Sequence, residues 1–267
     1  MIAPVPFQPR RFQSAAQHYL GGRPPYADRL IALVAEHCRL RRTDRLLDLG
    51  CGPGPLAIAF APLVGSVLAI DPEPEMLRIA ASAAAEAGVT VEFVAGSSYD
   101  LGTQLGRFRL VTIGRAFHWM DRVETLRRLA EIVEPDGAIA LFGDDHPRVP
   151  DNRWQRDYKA LIERYSEGDT VRAQVKSPDW VPHEAVLLDS PFAALERISV
   201  IERRRTPVDR LIDRALSMSS SSPERLGPRA ADLVRELREL LAGVAADGLV
   251  TEVVESEALI AHRPEAA

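Results

Sequence analysis

One short stretch concentrates the residue types that bring a backbone close to a ligand: Asp48-Leu49-Gly50-Cys51-Gly52-Pro53-Gly54. An apolar run (RLLDLGC, residues 45–51) leads into it, and Gly54-Pro55 reads as the opening of a helix. Glycines at such a turn let the main chain approach a bound molecule in the crevice beyond the strand's carboxyl end. The following helix N-terminus points unpaired N–H groups at an anionic group. Spacing narrows the ligand. A dinucleotide turn runs Gly-x-Gly-x-x-Gly, whereas this one runs Gly-x-Gly-x-Gly with Pro55 where the third dinucleotide glycine would stand. Asp71 ends the next apolar run (SVLAID, residues 66–71), where a carboxylate can accept both hydroxyls of a ribose. The turn and Asp71, one β-α-β unit apart, together point to a nucleoside-bearing ligand.

A second group offers acid-base chemistry. Phe117-His118-Trp119 follow the fourth apolar run. An indole donates one hydrogen bond and an imidazole another, or His118 serves as general base for a hydroxyl or amine. Packing at a strand-helix corner is the alternative use of the same residues. His146, just after Asp144-Asp145, is a further candidate base or substrate contact, with a solvated loop histidine as the alternative. The two aspartates lack an evident third ligand, so no metal is expected.

These residues need strands and helices to hold them. The pattern predicts a helix over 25–37, then a strand at 45–51, a helix from Pro55, a strand at 66–71 and a helix over 72–87 that ends at Gly88. Strands at 89–96 and 108–117 follow. Asp121 with Glu124 predicts an N-cap, and Val123, Leu126, Leu129, Ala130 and Val133 a buried stripe. Pro135-Asp136-Gly137 predicts a turn before a strand at 138–143. Repeated strand-helix units predict a parallel sheet with helices on both faces. Past Gly143 the pattern loosens: a helix near 152–165, a polar loop (SPDWVPHEAVLLDSP, residues 177–191), strands at 195–203 and 251–260, and an amphipathic helix ending near Ala246. The serine-rich run from Ser217 to Ser222 reads as a loop capping a helix at Pro223-Glu224. Trp154, Tyr158 and Trp180 suit either an apolar pocket or the core.

Composition excludes several functions. The formal charge is −5 over 267 residues, with arginines scattered, so a broad nucleic-acid footprint is not expected. Arg203-Arg204-Arg205 reads as a solvated strand end. Cys38 and Cys51 are the only cysteines, which fits a reducing cytoplasm and no zinc or disulfide framework. The uncharged stretch between Asp48 and Asp71 is long enough to span a bilayer, but Pro53, Pro55, Pro62 and four glycines rule out one lipid-exposed helix. A soluble protein without a secretory signal is expected.

Taken together, LLDLGCGPG, AIDPEPEML, FVAGSSYDL, FRLVTIGRAFHWMD and IVEPDGAIALF resemble the class I S-adenosylmethionine-dependent methyltransferases, and within them the small-molecule branch that includes trans-aconitate methyltransferase. The resemblance is good over about residues 15–145 and loose beyond. It implies an α/β fold: a Rossmann-like doubly wound seven-stranded sheet whose last strand is antiparallel. Asp48, Gly50, Gly52 and Gly54 would hold the methionine part of the cofactor, Asp71 its ribose, Pro72 and Met76 its adenine face. Ser97 and Ser98 would meet the adenine edge, and Arg115 would complete the cofactor set. The family usually has an aspartate where Ser97 stands, so a contact without charge assistance is implied. A stretch from Tyr19 to Tyr26 would fold over the cofactor, with Tyr19, Trp119 and His146 toward substrate.

The implied arrangement is a single methyltransferase domain: a helical lid (1–40), a cofactor-binding core (41–145), a substrate-shaping insertion (146–190), and C-terminal strands and helix (191–267). S-adenosyl-L-methionine would donate a methyl group to a small molecule, at a carboxylate or hydroxyl oxygen, leaving S-adenosyl-L-homocysteine. No nucleic-acid or membrane partner is expected, and a homodimer is compatible with the sequence. A non-catalytic cofactor-binding module, an RNA or protein methyltransferase and, least favoured, a nicotinamide-dependent oxidoreductase are the competing readings.

Overall fold

The structure is a computed structural model describing residues 16–166, 173 and 177–265. Seven strands form one sheet in the order β3-β2-β1-β4-β5-β7-β6. The strands are β1 (Arg45–Leu49), β2 (Ser66–Asp71), β3 (Glu92–Ala95), β4 (Phe108–Gly114), β5 (Val133–Asp145), β6 (Ala194–Pro207) and β7 (Leu249–His262). The first five run parallel, and β7 is antiparallel to both β5 and β6. The doubly wound sheet with an antiparallel last strand is therefore as expected. Strand order reverses between β1 and β4, and the carboxyl ends of those strands open the crevice where such sheets bind ligands.

Helices α1 (Ala16–Gly22), α2 (Asp28–His37), α3 (Pro55–Phe60), α4 (Pro74–Glu86), α5 (Arg122–Ile132), α6 (Gln155–Tyr165), α7 (His183–Leu188), α8 (Val208–Leu216), α9 (Pro223–Leu226) and α10 (Arg229–Ala242) surround the sheet. The two-residue alternation of the strands sorts the core. Leu46, Val67, Leu110, Ala138 and Ile260 face one layer with Leu30, Val34 and Phe60 of α2 and α3. Leu47, Leu68, Val111, Ile139 and Leu259 face the other with Leu126 and Leu129 of α5 and Leu187 of α7. A third cluster has no sheet face of its own: Tyr158 and Ile162 of α6, Leu211 and Ala215 of α8, and Leu233 and Leu237 of α10 pack as a helical cap.

Four local expectations are corrected. Pro135-Asp136-Gly137 is not a turn: α5 passes directly into β5, and these residues sit where its register against β4 shifts. Val123 is 55% exposed and leaves the α5 stripe, while Arg122 is buried in its place. Asp121 does cap α5, its Oδ1 accepting the Glu124 N–H at 3.1 Å. The serine run is a buried loop with Ser222 at the N-cap of α9, but its hydroxyls turn back to α8. Ser217 Oγ donates to the Arg214 carbonyl (2.8 Å) and Ser221 Oγ to the Ala215 carbonyl (2.6 Å), satisfying the carboxyl end of α8, while Ser222 makes no side-chain cap bond. The long antiparallel β6–β7 pair, 14 residues in each strand, also extends beyond the predicted 195–203 and 251–260.

Candidate active site

At the carboxyl ends of β1, β2, β4 and β5 lies a cleft of about 740 Å³. Its first wall is the glycine turn. Gly50 takes φ +68°, and the N–H groups of Gly50 and Cys51 both donate to the Ile70 carbonyl at 2.8 and 3.0 Å. A Cβ on Gly50 would stand 2.8 Å from the Ala116 Cβ, so only glycine keeps this approach. Asp71 ends β2 with Oδ2 accepting the Gly52 N–H (2.8 Å) and Oδ1 the Glu73 N–H (2.9 Å). A carboxylate has about four acceptor positions, so lone pairs remain for two hydroxyls. Burial raises this carboxyl above its ordinary range.

Asp48 and Gly54 are placed differently. Asp48 is 1% exposed and outside the main cleft; it accepts the Thr112 hydroxyl (2.9 Å) and the Ala57 N–H (3.0 Å), tying β1 to β4 and to the start of α3. Burial pushes its carboxyl up to about 7, against those two hydrogen bonds. Gly54 lies at the N-cap of α3 against Ala80 of α4. Both hold the turn from beneath.

Pro72, Met76, Ser97 and Ser98 line the cleft beside Asp71. Ser97 caps a short turn: its Oγ accepts from Tyr99 N (3.2 Å) and donates to Asp100 Oδ2 (3.0 Å). The carboxylate missing at position 97 thus stands three residues later, bonded to Ser97. Arg115 is a non-glycine residue in the left-handed region, at φ +55°. Its guanidinium pairs with Asp144, donates to the Pro24 carbonyl (2.8 Å) and lies 4.4 Å from the Tyr26 ring centroid. Burial opposes ionisation of Asp144, yet Arg115 and Arg23 hold its carboxyl below the usual range.

The cleft continues past Gly114 and Ala116 into a chamber lined by His118, Trp119, Met120 and Leu259. The rings of His118 and Trp119 lie 4.7 Å apart. Tyr19 and Arg23 line it from α1 and the residue after it; α1 is held to α8 by the His18–Asp213 pair (2.8 Å). His146 is corrected: it does not line the cleft. Its Nε2 lies 3.2 Å from Glu252 Oε2 and 3.4 Å from Arg214 Nη1, inside a buried ion network. Glu252 is desolvated, yet Arg214 and His146 hold its carboxyl far below the usual range.

The sequence reading missed Arg23, Lys159, His183, Arg197 and the Met218–Ser220 segment, all of which line the chamber. They come from five separate places in the chain, and no local spacing links them. Trp154 and Tyr158 belong to the helical cap, and Trp180 lies under Arg122 (4.0 Å). Among the described residues one His/Glu group could hold a metal ion: His37, Glu196 and His262, at the opposite end of the strands. A His37–Glu196 ion pair already accounts for it.

A family model described as a methyltransferase domain matches residues 46–137, which carry the turn, Asp71 and the His118 corner. An uncharacterized methyltransferase of Mycobacterium tuberculosis is 29% identical over 230 residues, spanning 85% of this chain and 84% of the relative. A ubiquinone biosynthesis O-methyltransferase of Xanthomonas axonopodis is 36% identical over 99 residues, 36% of this chain and 41% of that one. An S-adenosylmethionine-dependent methyltransferase from Thiobacillus denitrificans, solved with S-adenosyl-L-homocysteine, shares the fold at TM-score 0.55 and 15% identity, covering 98% of this chain and 100% of that one. Residues 46–137 thus form a methyltransferase domain in a Rossmann-like sheet. With the glycine turn and Asp71 at its crevice, the chain is a methyltransferase.

Proposed function

We propose that the enzyme methylates an oxygen of a small organic acceptor, a carboxylate or hydroxyl, held in the chamber at His118, Trp119 and His183. The observation that carries this reading is the continuity of one cleft from Asp71 to that chamber, roofed by α1 and the Met218–Ser220 segment. Its volume of about 740 Å³ falls in the range of about 300–1,000 Å³ used for small ligands. Arg23 supports an anionic group within: its Nε is buried without a hydrogen-bond partner, which a bound carboxylate would satisfy.

In this reading Asp71 holds the ribose and the Gly50–Gly52 backbone the methionine part, with Met76 and Pro72 against the base. When bound, S-adenosyl-L-methionine supplies a methyl group already activated by its sulfonium. The chain's part is then chiefly positioning in a water-poor site. Trp119 and His118 orient the acceptor oxygen. A carboxylate is ionised at neutral pH and needs no base; for a hydroxyl, His118 takes the proton.

The test is transfer of label from methyl-tritiated S-adenosyl-L-methionine to a panel of small carboxylic acids, phenols and amines, with bulk tRNA and protein as controls. Label in an organic acid, released as methanol by alkali, supports a methyl ester. Label only in tRNA, protein or amines contradicts the proposal. His118→Ala separates the two oxygen chemistries: it removes turnover of a phenol, and slows that of a carboxylic acid by about tenfold through lost orientation.

A further inference from the structure

We infer that His183 is a fixed hydrogen-bond donor of the acceptor chamber, whose Nε2–H donates to a carbonyl or carboxylate oxygen carried on a flat apolar acceptor. The inference deepens the methyltransferase reading of the same cleft and rests on it.

The argument begins at Arg122, the first residue of α5, which is only 4% exposed. Its Nη1 donates to the Val181 carbonyl at 2.6 Å and lies 3.2 Å from His183 Nδ1. A guanidinium has donors and no acceptor. The contact to His183 is therefore an N–H donated to a bare Nδ1. A neutral imidazole with Nδ1 bare carries its proton on Nε2. The tautomer is thus set by a buried residue that cannot change its own role.

The ring is also fixed in place. It makes an edge contact with Phe117 (centroids 5.1 Å), lies near Trp180 (6.3 Å) and is close to parallel with His118 (6.4 Å, 20°). Arg122 in turn lies over the Trp180 ring. Protonating Nδ1 would break the Arg122 bond and place two cations together; Glu184 is the facing group that opposes this. Burial first, and then Arg122, push the imidazole down to about 4. At neutral pH the ring donates and is no base.

Among the described residues nothing is bonded to Nε2, and His183 lines the chamber with His118, Trp119, Met120, Met218 and Leu259. An N–H on an aromatic and thioether wall, with the cations Lys159 and Arg197 also lining the chamber, matches a ligand with an exposed oxygen lone pair and a planar apolar body. It disfavours a protonated amine, which would meet donor against donor.

The experiment uses the full chain loaded with S-adenosyl-L-homocysteine and labelled with ¹⁵N-histidine. Benzoate is the probe and benzylamine, of similar size, its control. The expected spectrum shows His183 with bare Nδ1 and protonated Nε2, uncharged from about pH 5.5 to about pH 8.5, and Arg122→Met releases that preference. Benzoate shifts the His183 Nε2 signal and benzylamine does not. His183→Phe weakens benzoate about tenfold, His183→Gln restores most of it, and S-adenosyl-L-homocysteine affinity stays within about twofold in both. A protonated Nδ1, a ring that charges above pH 5.5, benzoate binding indifferent to His183→Phe, or no benzoate binding at tens of millimolar would each overturn the inference. Failure of the wild type to bind S-adenosyl-L-homocysteine would instead strike the methyltransferase reading beneath it.

Discussion

The turn's chemistry is decided by single atoms. Asp48 is held protonated by burial while the unfolded chain titrates near 3.8, so the native state binds the extra proton between 3.8 and about 7. The sign follows: stability contributed by this carboxyl is full below 3.8 and declines as pH rises toward 7. Asp48→Asn keeps both bonds, with the amide oxygen accepting from Ala57 N and the amide nitrogen donating to Thr112 Oγ1. Thermal melts across pH 4 to 7 are expected to fall less steeply for this variant than for wild type. Parallel curves would show that Asp48 is ionised throughout. Asp48→Ala leaves the buried Ala57 N–H unpaired and costs about 1–3 kcal/mol in urea unfolding. Gly50→Ala forces a Cβ into Ala116 and is expected to reduce cofactor affinity by at least about tenfold in titration calorimetry. Unchanged affinity would mean that the turn does not approach the ligand. These positions were legible in the sequence because the turn is contiguous and its glycines have one physical use. His146 misled for the opposite reason. Its neighbour Asp144 does line the cleft, while the chain beyond β5 carries His146 to Arg214 and Glu252, residues 68 and 106 positions away.

Among the elements, α1 is the one whose docking closes the chamber. Gly22 packs so tightly on α8 that a Cβ would fall 2.3 Å from the Arg214 backbone nitrogen. Arg214 reaches past it, with Nε donating to the Gly22 carbonyl (3.1 Å) and its other nitrogens to Glu252 (2.7 and 2.9 Å). One buried ion pair thus joins α1, α8 and β7. Glu252→Gln leaves Arg214 charged and unpaired, and is expected to destabilise by about 3–5 kcal/mol in denaturant unfolding. A loss under about 1 kcal/mol would show that water reaches the pair. Gly22→Ala is expected to displace α1, lowering turnover with a small acceptor about tenfold or more while leaving S-adenosyl-L-homocysteine affinity within about threefold. Equal losses in both would place α1 over the cofactor instead. The family resemblance implies a lid over Tyr19 to Tyr26, but its seat on α8 is not legible in the sequence. Helices α6, α8 and α10 make a core chiefly with one another, and their pairing depends on contacts far apart in sequence.

For the whole molecule, the alternating strands and helices from β1 to β5 emerge from local pattern, because buried parallel strands are short, apolar and bounded by glycine turns, while the antiparallel direction of β7 is implied only by the family resemblance. The edge strand β6 was read short, since its alternation of half-buried and exposed residues runs on through Arg203, Arg204 and Arg205 to Pro207. Those arginines are spent on local partners: Asp151, Glu202 and the Pro25 carbonyl, and the Ala246 carbonyl. With a net charge of −5, no stripe of unmatched cation runs along this edge. No helix of the described residues is long and apolar enough to cross a membrane. The acceptor chamber, by contrast, assembles from α1, α6, α7 and the segment after α8, and its chemistry exists only in the folded chain. The central claim is that the β1–β2 crevice holds S-adenosyl-L-methionine through Asp71. Calorimetric titration of the protein with S-adenosyl-L-homocysteine, beside Asp71→Ala and an NADH control, tests it most directly. The account predicts micromolar binding by wild type, at least about tenfold weaker in the variant, and none for NADH. Absence of S-adenosyl-L-homocysteine binding, or a preference for NADH, would contradict it.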